Sequence, residues 1–556
     1  MSNLKQEAST FFAFKCGAMA GIVALIFSFI VRLGSIAPFA PETATLAFIG
    51  IVPASIEQPM VQALGDTAGL FGLAIASIIA IIVYGVFGVL FQKFYSPWIS
   101  KYSGLTRTEQ FLIYAIVPWL FFGLVVFPLT GASFFGITST ISSSIISPYT
   151  LVIFPLALLF SQLLFSLMLA SGYKSAGLFG TATAASAVQH QTRGAIMSPA
   201  RRTFIERSVV LAGAGVLALV GLGSLFSSAV GSLSTSGTRA GSSYDLSQAP
   251  SIFEDTRLAS LVDSEITSNA NFYRVAIDLF DPAVNANTWK LLLTGSGKTK
   301  IYSLDDLKNL PIYTQYSTFE CVSNLVNGNL ISNANWGGIK ISDLLSDAGL
   351  STSNAQYVVF YSVDGYTVGI PIAKALMPDS LVAYQMNGVD LPQRHGYPLR
   401  AVIPGLYGMM SAKWITKIEL FDSFYNGYWQ SRGYTPNATV NTLAFIIVPG
   451  DGSQVSLSQN KGTILLGGYA FAGDRGISKV ELSFDQGQTW QEATLKPAIS
   501  NLTWTLWAFP WSPTTGSYSV YARATDGTGA VQTGAQASPF PSGATGYAMI
   551  TINVGS

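Results

Sequence analysis

Few side chains in this 556-residue sequence can do redox or nucleophilic chemistry, and they are easily enumerated. Two cysteines, Cys16 and Cys321, and two histidines, His190 and His395, are its only thiols and imidazoles. Cys16 lies in an apolar run and Cys321 stands by itself in a more polar second half, so that half is not a disulfide scaffold. C-x-x-C-H is absent, which excludes an ordinary covalent haem site. Four-cysteine iron–sulfur clusters and structural zinc sites fail on count. No glycine-rich phosphate loop follows a strand in the second half, so a nucleotide cofactor is unsupported. What remains is Cys321. Most isolated cysteines are small buried hydrophobes, yet a thiolate is also a good soft ligand for a transition metal. Its surroundings have to decide.

Those surroundings are "YSTFECVSNLVNGNLISNANWGGIKISDLLSDAGL" (316–350), in which the cysteine is followed by asparagines, Trp-Gly-Gly and a short helical pattern. A second stretch, "YQMNGVDLPQRHGYPLRAVIPGLYGMMSAKWITKIEL" (384–420), carries N-G-x-x-L-P, H-G-[FY]-P-x-R, V-x-P-G-x-Y-G and K-W. Upstream, "NANFYRVAIDLFDPAVNANTWKL" (269–291) has N-F-Y and D-P-A-x-N-A. In that order the three blocks resemble the sulfite oxidase family of molybdenum enzymes, the upstream one being more like its bacterial methionine sulfoxide reductase branch. The resemblance covers roughly residues 265–556. It implies one molybdopterin whose dithiolene binds molybdenum, with Cys321 as the protein's metal ligand and a catalytic residue. It further implies that His395, Arg400, Ser411 and Lys413 hold the pterin and its phosphate, that Asn271, Phe272 and Tyr273 line the pterin, and that Tyr434, in "GYWQSRGY", is the active-site tyrosine. The residue types agree with this, because a buried phosphate wants paired cationic donors.

The chain departs from the resemblance where substrate would bind. Sulfite oxidases surround their oxyanion with arginines, one of them five residues after the cysteine, where Val326 stands here. Another comes from the C-terminal region, where "SPFPSGATGYAMITINV" contains none. Loss of two cations from a dry site weakens binding of a dianion strongly. The expected reaction is oxygen-atom transfer at molybdenum, on sulfite or on a sulfoxide or other small oxo compound. Its two electrons pass singly to a cytochrome or quinone partner. Met409 and Met410 read as core filling, and Arg394 and Arg432 as charges that could restore positive potential near the site.

The elements that must carry these residues divide sharply. Mean hydropathy of +0.42 with 11% charged residues is too apolar for an ordinary soluble protein, and a net charge of +1 gives no field for nucleic acid. Residues 1–230 hold five apolar stretches near the roughly 20 residues that cross a bilayer, at 11–34, 68–92, 110–131, 148–171 and 207–230. Lysines and arginines alternate between their loops: none in 35–66, then Lys93, Lys101 and Arg107, none near 132–147, then Lys174, Arg193, Arg201, Arg202 and Arg207. The alternation places the N-terminus in the cytoplasm and everything after about residue 231 outside the cell membrane. Arg201 and Arg202 with Phe204 and Ile205, before "SVVLAGAGVLALVG", resemble a twin-arginine export signal at 201–207, which serves substrates folded around a cofactor before export. Lys15 and Arg32 read as snorkelling residues at the ends of the first span.

The expected organisation is a membrane α-helical bundle (1–230), a linker (231–264), an α+β sulfite-oxidase-type molybdopterin domain (265–440) and an all-β immunoglobulin-like sandwich (441–556). Period-two patterning with turn residues every 8–12 positions supports the sandwich. G-D-R-G-I, D-x-G-x-T-W and R-A-T-D resemble the dimerisation domain of the same enzymes, implying a homodimer. Trp490, Trp504, Trp507 and Trp511 read as core and interface, and Asn437 and Asn501 sit in N-x-[ST] sequons. With no histidine in a predicted span, haem is not expected in the bundle, which serves to anchor the chain in the lipid bilayer or dock an electron partner. Two other functions compete: a cofactor-free surface scaffold or adhesion protein that keeps the fold, and a transporter with an external domain. The retained Cys321, His395, Arg400, Lys413 and Tyr434 argue against the first, and the scarcity of polar residues in the spans against the second.

Overall fold

A computed structural model describes residues 2–33, 68–95, 114–126, 148–175, 249–277 and 281–556, with a few positions between 39 and 45. His190, the paired arginines 201 and 202, the expected span 207–230 and most of the expected linker lie outside the described residues. The chain divides into two units, one within residues 1–236 and one running from Gly237 to Ser556, with 54–59 assigned to the latter.

In the first unit the apolar runs satisfy their backbone polar groups internally, as helices Ser2–Leu33, Ala68–Leu90, Ile116–Phe121 and Pro148–Ser175. Among the described residues two segments, Thr10–Ile30 and Gly72–Lys93, are long and apolar enough to cross a membrane. Ile116–Val126 and Pro155–Ser166 are shorter apolar helices. The first two helices cross at glycines: a Cβ on Gly17 would lie 2.9 Å from the Gly88 backbone, so small residues permit the approach. Where they meet the helix Pro148–Ser175, Gln162 Nε2 donates to the Tyr84 hydroxyl at 2.9 Å and to Ser161 Oγ at 3.1 Å.

The second unit begins its sheets with ten strands: β1 (Leu291–Gly295), β2 (Lys298–Tyr302), β3 (Tyr313–Glu320), β4 (Ile331–Lys340), β5 (Tyr357–Ser362), β6 (Thr367–Pro371), β7 (Leu381–Met386), β8 (Val389–Asp390), β9 (Arg400–Val402) and β10 (Ile415–Phe421). They form two sheets, β2-β1-β10-β5-β6 and β3-β4-β7-β8, with β9 also paired to β7. β1 and β10 run parallel with Leu293 opposite Ile418, both buried. With helices Leu304–Lys308, Ile341–Asp347 and Ile372–Ala375 this is an α+β arrangement.

The remaining strands are β11 (Leu443–Val448), β12 (Ser453–Ser456), β13 (Ile464–Phe471), β14 (Ile477–Ser483), β15 (Gln491–Glu492), β16 (Thr494–Leu495), β17 (Thr505–Trp511), β18 (Gly516–Asp526) and β19 (Ala548–Gly555). They pair as β11-β13-β17-β16 and β12-β19-β18-β14-β15. Ala444, Ile446 and Trp507 from the first sheet share a core with Val480, Ala522 and Ile550 from the second, so the two pack as a sandwich. Trp504, Trp507 and Trp511 are buried, while Trp490 lies partly exposed under the Arg523 guanidinium, 4.2 Å from its ring centre.

Residues 249–277 form a strap joining the two halves of this unit. Phe253, Leu258 and Leu261 are buried in it. A Cβ on Gly467 of β13 would stand 2.8 Å from Leu258 Cδ2, so the strap seats where that strand lacks a side chain. Glu265 then pairs with Lys496 at 2.8 Å, with side chains 8% and 0% exposed. Its carbonyl accepts from Trp504 Nε1 at 3.0 Å and Asn333 Nδ2 at 2.8 Å.

Candidate functional site

Cys321 follows β3 in a turn in which its amide donates to the Leu330 carbonyl at 2.9 Å and its carbonyl accepts from the Asn324 amide at 2.9 Å. The side chain is 6% exposed. Burial pushes the thiol up to about 11, against the pull of the Ser323 amide and hydroxyl. A thiol so desolvated is inert towards water-borne electrophiles, and a bound metal cation would release its proton. The phenols of Tyr273, Tyr366 and Tyr407 lie within electrostatic reach of the sulfur, each itself pushed up by burial. The adjoining Glu320 is fully buried: Oε1 accepts from Asn324 Nδ2 at 3.0 Å and Oε2 has no partner. Burial lifts this carboxyl to about 8. Gly408 has no side chain because the Tyr273 hydroxyl occupies the place of a Cβ.

A cationic wall stands beside this group. The Arg400 guanidinium, on β9, lies beside the stacked rings of Phe319 (4.8 Å) and Trp336 (4.7 Å), whose centroids are 5.0 Å apart. Its Nη1 donates to the His395 carbonyl at 3.1 Å. Burial lowers it to about 10, although it faces no carboxylate among the described residues. His395 Nε2 lies 2.7 Å from the Asn269 carbonyl. A carbonyl only accepts, so Nε2 carries the proton and Nδ1 is left as an acceptor. Burial, and then the charges of Arg400, Lys413 and Arg394, hold the imidazole down at about 3 and therefore neutral. Lys413 Nζ donates to the Val275 carbonyl at 3.0 Å and sits 4.3 Å over the Trp414 ring. Desolvation first, and then Arg274 and Arg400, bring it down to about 7, partly offset by Asp281 and Asp364. Asp281 is already bound by Arg274 at 2.6 Å.

The sequence candidates fall into three places. Cys321, Tyr273, His395, Arg400 and Lys413 come together. Phe272 is buried beneath them, its ring 5.5 Å from those of Trp336 and His395. Ser411 is buried with Oγ accepting from the Ile403 amide at 3.2 Å, whereas Asn271 is exposed and donates its amide to the Ser268 carbonyl at 3.0 Å. Tyr434 belongs to a separate aromatic row between Trp429 (5.3 Å) and Phe540 (5.1 Å). Arg432 turns onto the Tyr428 ring, 3.5 Å away. Met409 and Met410 are buried, as expected of core filling.

Glu320, Asp364, Arg274 and the phenol of Tyr366 lie near the site and are not singled out by the sequence motifs, whereas Tyr407 is the tyrosine of V-x-P-G-x-Y-G, to which the motif itself attaches no role. Asp364 is half-buried near Lys413 and raised to about 6 by desolvation, yet "SVDGYT" reads only as a D-G turn. Glu320 alone leaves a trace: a charge within the otherwise uncharged strand "YTQYSTFE".

A desolvated guanidinium without an acid among the described residues stands with a lysine whose desolvation is only partly offset by Asp281 and Asp364. A buried phosphate would supply an anion. The neighbouring buried thiol suits a soft metal. The chain thus fits a phosphorylated, metal-bearing group, and comparison with known proteins names its class. Residues 279–429 match the family model of the oxidoreductase molybdopterin binding domain, and residues 435–538 that of the Mo-co oxidoreductase dimerisation domain. The chain carries a molybdopterin-binding oxidoreductase domain.

Its relatives are sulfite oxidases. The mitochondrial sulfite oxidase of Drosophila melanogaster is 30% identical over 315 residues, covering 48% of this chain and 55% of that protein. The mitochondrial sulfite oxidase of Homo sapiens is 31% identical over 278 residues, covering 42% and 50%. The chain spans about half the length of these curated relatives. The solved sulfane dehydrogenase SoxCD from Paracoccus pantotrophus overlaps with a TM-score of 0.43 at 21% identity, over 48% of this chain and 74% of that one.

Proposed function

We propose that this protein is a membrane-anchored, outward-facing molybdopterin oxidoreductase that transfers an oxygen atom to or from a small oxo compound. The observation that carries the reading is the gathering around Tyr273 of the buried Cys321 thiol and the buried Arg400 guanidinium, which meets no acid among the described residues. Cys321 is the metal ligand. His395, Arg400 and Lys413, joined by Arg274 and Asp364, hold the pterin and its phosphate, and Tyr273 packs over the sulfur. When bound, the group supplies oxygen-atom exchange and storage of two electrons.

The chain's own work is positional. Arg400 and Lys413 neutralise the phosphate, and the neutral His395 offers Nδ1 to a pterin N–H. The buried phenols of Tyr273, Tyr366 and Tyr407 exclude water from around the sulfur, the Tyr366 hydroxyl being held by donation to the Met409 carbonyl. Enclosure of this kind makes each remaining polar contact count for more than it would in water. The site residues Ser411, Asn271, Phe272 and Tyr434 complete the proposal, Tyr434 on the substrate side. A cytochrome or quinone exchanges the electrons one at a time, the immunoglobulin-like sandwich pairs two copies, and the apolar helices anchor the chain after twin-arginine export.

Elemental analysis of the purified full chain tests this. Near-stoichiometric molybdenum is expected, and in Cys321→Ser an altered Mo(V) resonance with loss of oxygen-atom transfer. Molybdenum-free protein from a host that makes the cofactor would instead mark a scaffold that has kept only the fold.

A further inference from the structure

Cys321 opens the loop 321–330 between β3 and β4, and one side chain closes that loop from within. The Asn324 amide donates to the Cys321 carbonyl at 2.9 Å, shutting a β-turn at the cysteine. Asn324 Oδ1 accepts from the Leu330 amide at 2.9 Å, and Nδ2 donates to Glu320 Oε1 at 3.0 Å. The Cys321 amide in turn donates to the Leu330 carbonyl at 2.9 Å. A single carboxamide, on a residue 2% exposed, therefore ties the residue before the cysteine to the far end of its loop.

The loop is shaped to that side chain. A Cβ on Gly328 would stand 2.5 Å from Asn324 Oδ1, so the backbone can pass there only without one. Glu320 is buried as deeply, and its Oε2 has no partner. A carboxyl group that gives up water for one hydrogen bond adds little to the core. What it secures is direction: the Cys321 backbone is held on both sides, and with it the bond that carries the sulfur. Groups that orient a metal ligand govern the metal site almost as the ligand does.

The outer part of the loop has a separate anchor. Asn327, at φ +61°, accepts from the Ile446 amide of β11 at 2.7 Å through Oδ1. That contact fastens the loop to the sandwich, outside the turn that bears the cysteine.

We propose that Asn324, seated against Glu320, is a positioning residue for Cys321, fixing the turn so that the sulfur meets the metal in one geometry. The inference rests on the molybdopterin reading above.

Exchange of donor and acceptor tests it in the full chain. Asn324→Asp keeps the size of the side chain, loses the Nδ2 donor and sets a second carboxyl against Glu320. Glu320→Gln with Asn324→Asp restores a donor–acceptor pair with the roles reversed and leaves an acceptor for the Leu330 amide. The single variant is expected to alter the Mo(V) resonance at molybdenum and pterin contents near wild type, since Arg400 and Lys413 are untouched. The double variant should recover the wild-type resonance. A second readout needs no metal. In cofactor-free protein carrying Cys16→Ser, Cys321 is the only thiol. There Asn324→Asp should speed its alkylation about tenfold, as a lost buried hydrogen bond lets the turn open. Asn327→Gly, which suits the positive φ, should lower the urea midpoint and move neither readout. An unaltered resonance in Asn324→Asp, a double variant no better than the single, or the same changes in Asn327→Gly would overturn the role of Asn324 and leave the cofactor reading standing. So would a single variant that loses cofactor and fold together, which makes the pair merely structural. Wild type free of molybdenum from a host that makes the cofactor overturns both.

Discussion

The Arg400 guanidinium lies beside the stacked rings of Phe319 and Trp336, donates to the carbonyls of His395 and Ala401 and meets no acid among the described residues. Such a charge is costly to bury, since it surrenders water for two backbone carbonyls and two neighbouring rings. Its retention is explained by a ligand that repays the cost. Arg400→Met is therefore expected to act in opposite directions on fold and ligand. Cofactor-free protein should gain on the order of 1–3 kcal/mol, because a similar apolar volume replaces an unpaired ion. Molybdenum and pterin content should fall severalfold in the same variant. Chemical denaturation of the cofactor-free form and pterin fluorescence after release check the two halves; a loss in both would make Arg400 merely structural. Arg400 and His395 are picked out in the sequence by the family resemblance that "RHGYPLR" carries, and Lys413 by that of K-W. Glu320 and Asp364 are not, since their significance comes from burial and from neighbours distant in the chain, which no local pattern encodes.

At the scale of elements, the strap 249–277 runs from the sandwich to the candidate site. It begins on the sandwich, with Leu258 and Leu261 over Gly467, and ends with Asn269 accepting from His395 and Phe272 packed on Trp336. Between these lies the buried Glu265–Lys496 pair. Removing one partner of such a pair leaves an uncompensated charge in the interior, whereas removing both leaves none. Lys496→Met should cost about 3–5 kcal/mol, and Glu265→Gln with Lys496→Met should recover most of it. Urea unfolding of the single and double variants measures the difference, and equal losses in both would refute a charge-based clasp. The strands of the sandwich are legible as period-two alternation between regular turns, because each strand buries one face. The strap reads as linker up to residue 264. Its short 3₁₀ turns at Ser251–Glu254 and Thr256–Leu258 have neither a helical nor a strand period, and their order comes from a distant partner.

On the function proposed above the apolar and polar halves of the sequence would face different solvents, and the paired arginines 201 and 202 stand between them in the sequence. Two forces could place the second half outside. Positive charge before a span holds its near end in the cytoplasm, and any cation serves. A twin-arginine signal is read by a receptor as a sequence and passes folded cargo. Charge-conserving substitution separates them. Arg201→Lys with Arg202→Lys leaves the charge asymmetry intact, so orientation by charge would persist and the second unit would remain accessible to protease added to intact cells. If export depends on the signal, the same change should leave that unit protected while its molybdenum content stays near wild type, because the cofactor enters before translocation. The deep burial of Cys321 and Arg400 favours this order of events, since a site closed around its ligand is most readily filled while the chain is still folding in the compartment that holds the cofactor. Molybdenum in a protease-protected double variant would tie the membrane half to the chemistry of the other; an accessible unit would reduce Arg201 and Arg202 to topogenic charges.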